Sequence, residues 1–209
     1  MKRITASCII EDHVFVKDGK VVFDERRAAA DLPDFLHSLY KYSGLNYPRF
    51  YKMDNLSKLG WLAAEILLQE GFHGGNYESG EIGIVLANAN ASLDTDLKYY
   101  DTVKEFPSPS LFVYTLPNIM IGEICIRKGF KGENAFFVSD RFDADLMVQY
   151  VGNLLDKDIL QACICGWVDL LGPVYKAALF LVEKGEGSGI FTAEALNKIF
   201  SGENGQANG

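Results

Sequence analysis

Ser139, Asp140, Arg141 and Asp143 bring a hydroxyl, two carboxylates and a guanidinium together between the apolar runs 135–138 and 146–155. That places them at a strand-to-helix turn, where the sites of α/β folds collect. In one reading Arg141 faces a carboxylate or phosphate, because its planar fork grips such anions with two hydrogen bonds. In the other it pairs with Asp140 or Asp143, a local ion pair that needs no ligand. Arginine stays protonated at any relevant pH, so Arg141 is not a nucleophile.

The remaining candidates are weaker. Cys8, Cys125, Cys163 and Cys165 sit in apolar segments without a CxxC spacing. Cys163 and Cys165 alternate as on a strand and share one face, as reduced core thiols do. His13, His37 and His73 are scattered without ligand spacing, so no metal is assigned and no cofactor is implied. Gly185-Glu186-Gly187-Ser188-Gly189 lacks the lysine and full glycine spacing of a phosphate loop and reads as a turn. Asn90-Ala91-Ser92 is a glycosylation sequon by pattern only.

Composition bounds the partners. The 209 residues are 48% hydrophobic, enough for a sizeable core in one domain, or at most two. A net charge of −8 argues against nucleic acid and anionic membrane surfaces, which attract basic patches. Met1-Lys2-Arg3 leads into a short apolar run and then Glu11-Asp12, unlike a signal peptide. The apolar runs are also too short to span a bilayer, so a cytoplasmic chain is expected.

These residues need a scaffold, and the periodicities describe one. Residues 4–10 read as a strand, and 14–16 and 21–23 as a hairpin around Lys17-Asp18-Gly19-Lys20. Leu32, Phe35, Leu36, Leu39 and Tyr40 recur at helical spacing within 31–42. Asp54 caps a second helix that carries Leu56, Leu59, Leu62, Ala63, Ile66 and Leu67. Residues 82–86 form a strand buried on both faces, and a helix follows over 95–105. Pro107-Ser108-Pro109-Ser110 reads as an extended connector, and Pro117 as the first turn of a helix ended by Gly129. Strands at 135–138, 160–165 and 177–182, an apolar helix at 143–155 and a capped helix at 192–200 complete the ordered chain. One domain over 1–201 is expected, with a disordered tail at 202–209. Alternating strands and helices imply an α/β fold, a mostly parallel sheet covered on both faces. Fold class alone does not assign function.

One stretch goes further. Pro117-Asn118, Gly122, Ile124-Cys125-Ile126-Arg127-Lys128-Gly129-Phe130 and Lys131-Gly132-Glu133-Asn134 resemble the segment leading into the active site of β-ketoacyl synthases of the thiolase fold. Four further segments are similar to that family and come in its order. They are Tyr51-Lys52-Met53-Asp54 with Ser57-Lys58-Leu59, Gly83 to Asn88 with Leu93-Asp94, Cys163 to Asp169, and Ala177 to Glu183. Trp167 and Asp169 depart from the family's pattern. The resemblance implies a thiolase-like half: a mixed, mostly parallel five-stranded sheet with helices on both faces and a small N-terminal hairpin.

The same resemblance puts Arg141 where the family's nucleophilic cysteine stands. No histidine follows His73, so the second half, with its acid/base pair, is expected to be absent. Condensation needs a thiolate and polar groups that hold the oxyanion. The chain thus resembles a chain-length-factor-type subunit, a non-catalytic partner of an active ketosynthase in fatty acid, polyketide or aryl polyene-type synthesis. The family's pairing strand corresponds to Asn134, Phe136, Phe137 and Val138, with both phenylalanines exposed unless paired. Phe112, Tyr114 and Met120 correspond to positions lining the partner's acyl tunnel. An acyl carrier protein is a further expected partner, and a homodimer is expected when the chain stands alone.

Two other functions stay open: an acyl-chain or carrier-protein binding module acting as a homodimer, and an enzyme of unrelated chemistry at Asp140, Arg141 and Asp143. The apolar stripe of the helix over 143–155 also demands a cover. A partner chain is the expected one, with the chain's own N-terminal hairpin and last helix as the alternative.

Overall fold

The computed structural model describes residues 1–28, 31–69, 71–185 and 189–202. It opens with three antiparallel strands, β1 (Lys2–Glu11), β2 (Val14–Lys17) and β3 (Lys20–Asp24). Asp12-His13 and Asp18-Gly19 both turn at positive φ, as two-residue hairpins matching the strand twist require.

Asp31 caps α1 (Leu32–Tyr42) by accepting from the Asp34 N–H, and Asp54 caps α2 (Asn55–Leu67) through Ser57. The five apolar residues of α1 named above are all buried. Helix α2 is buried almost throughout, including Glu65, whose carboxylate meets Lys128 and Arg127 at 3.1 and 3.7 Å.

β4 (Ile82–Asn88) is buried along its whole length. Then come α3 (Leu93–Val103), the single turn α4 (Pro109–Phe112) and α5 (Ile119–Lys128), which Gly129 ends in the left-handed region. The proline-rich connector is therefore not extended throughout, because Ser108 caps α4. Pro117 stands just before α5 rather than inside it. β5 (Asn134–Val138), α6 (Ala144–Asp156), β6 (Ala162–Leu171), β7 (Val174–Lys184), β8 (Gly189–Ile190) and α7 (Ala193–Phe200) follow.

The strands make one mixed sheet in the order β3-β2-β1-β7-β6-β4-β5, with β8 added beside β1. Its five-strand body is β1, β7, β6, β4 and β5, and the β2–β3 hairpin extends that sheet. Only β4 runs parallel to its neighbours β5 and β6, so the antiparallel share is larger than the alternation predicts. The reason is local. β6 and β7 join through the tight Gly172-Pro173 turn, which leaves no room for the crossover that parallel strands need.

Helices cover both faces. α1, α2 and α5 pack one core, with Trp61, Phe50 and Leu59 fully buried. α6 and α7 pack the other, around Phe180, Met147 and Leu196. The apolar stripe of α6 is thus buried at Met147, Val151, Leu154 and Leu155 by the sheet and the chain's own α7, so its inner part needs no partner, while Leu146 and Tyr150 stay half-buried. No helix among the described residues is long and apolar enough to cross a membrane. Residues 203–209, expected as a tail, and 186–188 of the glycine-rich turn lie outside the described residues.

Candidate functional site

The parallel strands β5, β4 and β6 end side by side, and the turns leaving them are tied together by hydrogen bonds. The Asn88 amide, fully buried, donates to the Ala91 carbonyl and accepts from the Ala91 N–H at 2.8 and 2.9 Å. That clasp holds Ala91 at φ 47, a left-handed conformation a non-glycine residue adopts only when its surroundings impose it. From β6, Asp169 reaches across: Oδ1 accepts the N–H groups of Ala89 and Asn90, and Oδ2 accepts the Asn90 side chain at 2.8 Å. The backbone carbonyl of Asn88 in turn accepts the Ser139 N–H at 2.9 Å, fixing the start of the turn after β5.

Within that turn the expected residues divide. Ser139 Oγ donates to the Arg141 carbonyl at 2.9 Å, and Asp143 caps α6 by accepting from the Leu146 N–H. The side chain that points inward is Phe142. Its ring lies 4.5 Å from that of Phe200 and near those of Phe180 and Trp167. Asp140 and Arg141 are exposed. No carboxylate among the described residues lies within ion-pair reach of Arg141, which removes the local pair with Asp140 or Asp143. Physically, Asp143 is already committed to the helix end.

Burial disfavours the thiolate at all four cysteines. Burial pushes the thiol pKa of Cys8 up to about 12 and raises those of Cys163, Cys165 and, less buried, Cys125. His13 and His37 rest against aromatic rings on the α1 side of the sheet. Among the described residues, no three His, Cys, Asp or Glu side chains stand close enough to hold a metal.

The three tunnel positions do not come together at a surface. Met120 is fully buried against Gly60 of α2, and Tyr114 is buried with its hydroxyl on Glu123 at 3.2 Å. Phe112 alone is exposed. Strand β5 is an edge strand, as a pairing strand must be. Its phenylalanines are half-buried rather than bare: Phe136 packs on the α2 side, and Phe137 meets Tyr150 edge-on at 5.1 Å. Alternation on the strand sends them to opposite cores. Val138 stays exposed.

Asn88, Asn90 and Asp169 were not singled out from sequence as a network. The available signal was Asn88-Ala89-Asn90 closing an apolar strand, a run of residues that favour turns.

No protein-family model and no curated protein matches the sequence. Solved structures do. The ishigamide ketosynthase/chain length factor superposes with a TM-score of 0.61 at 16% identity, over 90% of this chain and 63% of its own. A complex of a type II polyketide synthase acyl-carrier protein with its ketosynthase, AntDE:AntF, gives 0.59 at 12% identity, over 87% and 62%. The ketosynthase ApeO in complex with its chain length factor ApeC, from Xenorhabdus doucetiae, gives 0.55 at 13%, over 78% and 74%. The chain therefore spans somewhat less than two thirds of two of these structures, and its fold is the thiolase-like fold they share.

Proposed function

We propose that this chain is a chain-length-factor-type partner of a ketosynthase in polyketide or aryl polyene-type synthesis and does not itself carry the acyl group. The observation that carries the reading is the turn between β5 and α6, which presents an exposed guanidinium and an inward phenyl ring where condensation needs a thiolate. Support comes from the fold, which is shared with a ketosynthase bound to its chain length factor. The edge strand β5, ending in exposed Val138, gives a ketosynthase a free ladder of N–H and C=O groups. Phe112 is the one tunnel position accessible to that partner, while Tyr114 and Met120 act by shaping their own core.

Co-expression with candidate ketosynthases followed by size-exclusion chromatography tests the reading. A stable mixed complex, weakened by Val138→Asp, is expected. Failure to associate with any of them, or an acyl adduct on the isolated chain, would count against it.

Carrier-protein docking is a second reading, favoured by Arg141 standing exposed and unpaired among the described residues. Arg141→Glu should then lower affinity for a phosphopantetheinylated carrier protein at low salt, where exposed charges act most strongly. Chemistry at Asp140, Arg141 and Asp143 has less to work with, because Asp143 is held at the helix end. Turnover lost on Asp140→Asn would support it.

A further inference from the structure

The two faces of the β2–β3 hairpin are covered unequally. On one, Phe15 is fully buried and Phe23 lies against the rings of Phe35 and Tyr42 from α1. Strand alternation sends Val14 and Val16 to the other face, beside Ile9, the ladder partner of Val16 on β1. Helix α7 packs on that side of the sheet, but it has eight residues and stops at Phe200. Val14 and Val16 are therefore only half-buried, and Val21, opposite Val16 on β3, is 62% exposed.

The uncovered face is concave. It forms the floor of a cavity of about 340 Å³, closed on one side by Ile199 and Phe200. An apolar cavity of a few hundred Å³ with polar groups at its rim has the form of a small-molecule site. Residues 203–209 carry no apolar side chain larger than Ala207, so that segment has nothing to fill it with.

The charges at the rim select the ligand. Glu11, Asp12, Asp18 and Arg26 line the cavity, while the hairpin's lysines, Lys17 and Lys20, do not. Arg26 is held by Asp24 through Nε and a terminal nitrogen, and Glu11 by Lys176 at 2.7 Å. Asp12 acts on Arg26 through space without pairing with it. Asp18 takes two donors from Ser7, the N–H at 2.7 Å and the hydroxyl at 3.4 Å, both on Oδ1. Neither Asp12 nor Asp18 has a cation within ion-pair reach among the described residues. Lys176 also lies 4.5 Å over the Phe200 ring, so this wall already receives a positive charge.

We propose that this cavity binds a small organic cation, its ammonium group held by the carboxylates of Asp12 and Asp18 and its apolar body seated over Val14, Val16 and Phe200. The cavity lies at the β3 end of the sheet and β5 at the other, so the site does not depend on the ketosynthase reading.

Calorimetric titration of the purified chain with 1-naphthylmethylamine, protonated at pH 7, provides the test, beside the neutral 1-naphthylmethanol and the anion 1-naphthoate. Saturable one-to-one binding is expected, with the amine about fivefold tighter than the alcohol and the carboxylate weakest. Asp12→Asn combined with Asp18→Asn should bring the amine to the affinity of the alcohol and leave the alcohol unchanged. Asparagine tolerates the positive φ of both positions, so the turns are preserved. Val16→Trp, which fills the cavity, should weaken amine and alcohol alike by about tenfold or more. Backbone amide NMR shifts on binding should centre on residues 7–21 and 199–202. No saturable binding, an amine no tighter than the alcohol, or a preference for the carboxylate would overturn the proposal. So would binding that persists in Val16→Trp, or shifts confined to another part of the chain. If no probe binds and the chain is a dimer that Val21→Asp dissociates, a second copy covers this face and the proposal is wrong.

Discussion

Asp169 on β6 holds Asn90, in the loop after β4, by backbone and side chain at once, with distances of 3.0 and 2.8 Å. A single carboxylate thus joins the carboxyl ends of two parallel strands and fixes the loop that leads into α3. Asp169→Asn keeps the shape but replaces one acceptor oxygen with a donor facing other donors. The expected loss is about 1–3 kcal/mol in urea unfolding, the cost of unsatisfied partly buried groups. Unchanged stability would mean that the loop is held by other contacts.

Alkaline pH should unfold the protein early. The thiol of Cys8 titrates near 12 in the fold against an ordinary 9.0, and Cys163, Cys165, Tyr77 and Tyr114 are also shifted upward, chiefly by burial. A raised pKa means that the folded state holds its proton more tightly than the unfolded chain does. The associated stability is complete below about pH 9 and is lost as pH rises toward 12. Denaturant midpoints measured from pH 7 to 11 should be flat at first and fall above 9. A flat profile throughout would contradict the burial of these groups.

The same burial protects the thiols from reagents. An aromatic disulfide reagent at neutral pH should leave Cys8, Cys163 and Cys165 untouched in the native protein and modify Cys125 slowly. All four should react in denaturant. Intact-mass spectrometry after incubation with acyl-carrier substrates should correspondingly show no acyl adduct.

Covering α6 from within makes α7 a stability element. Leu196→Ala, at a fully buried position on that helix, should cost roughly 2–5 kcal/mol. Arg141→Ala should stay within about 0.5 kcal/mol of the parent. Thermal or urea unfolding compares the two directly, and a costly Arg141→Ala would reveal a contact that the fold does not display.

Much of the scaffold was legible from sequence because it obeys local rules. The buried faces of α1 and α2 follow their spacing, and Asp31, Asp54, Asp143 and Thr192 cap helices through their own side chains. Where a side chain meets something distant in sequence, local rules do not reach. The packing of Met120 on Gly60, where an added Cβ would fall 1.9 Å from its sulfur, is set by a residue on another helix and is not visible in the local sequence. Which residue of the Ser139–Asp143 turn points inward is likewise set by the rings of Phe180 and Phe200, so Phe142 and not Arg141 turns toward the core. Outward apolar residues on α3 defeat the usual reading, since periodicity reports a stripe but not which way it faces.

The central place of β1 has a consequence for how the molecule is made. Its ladder partner β7 pairs Lys2 with Lys184 and Ile10 with Ala177, so during synthesis β1 waits for a strand far along the chain. Until then it has only its hairpin partner β2, and one long edge stays open to chance pairing. Contacts this distant in sequence slow folding and lengthen the exposure of apolar strands. The nascent chain is therefore most vulnerable to aggregation until β7 has been made, and a truncation before β7 would leave a sheet without its middle.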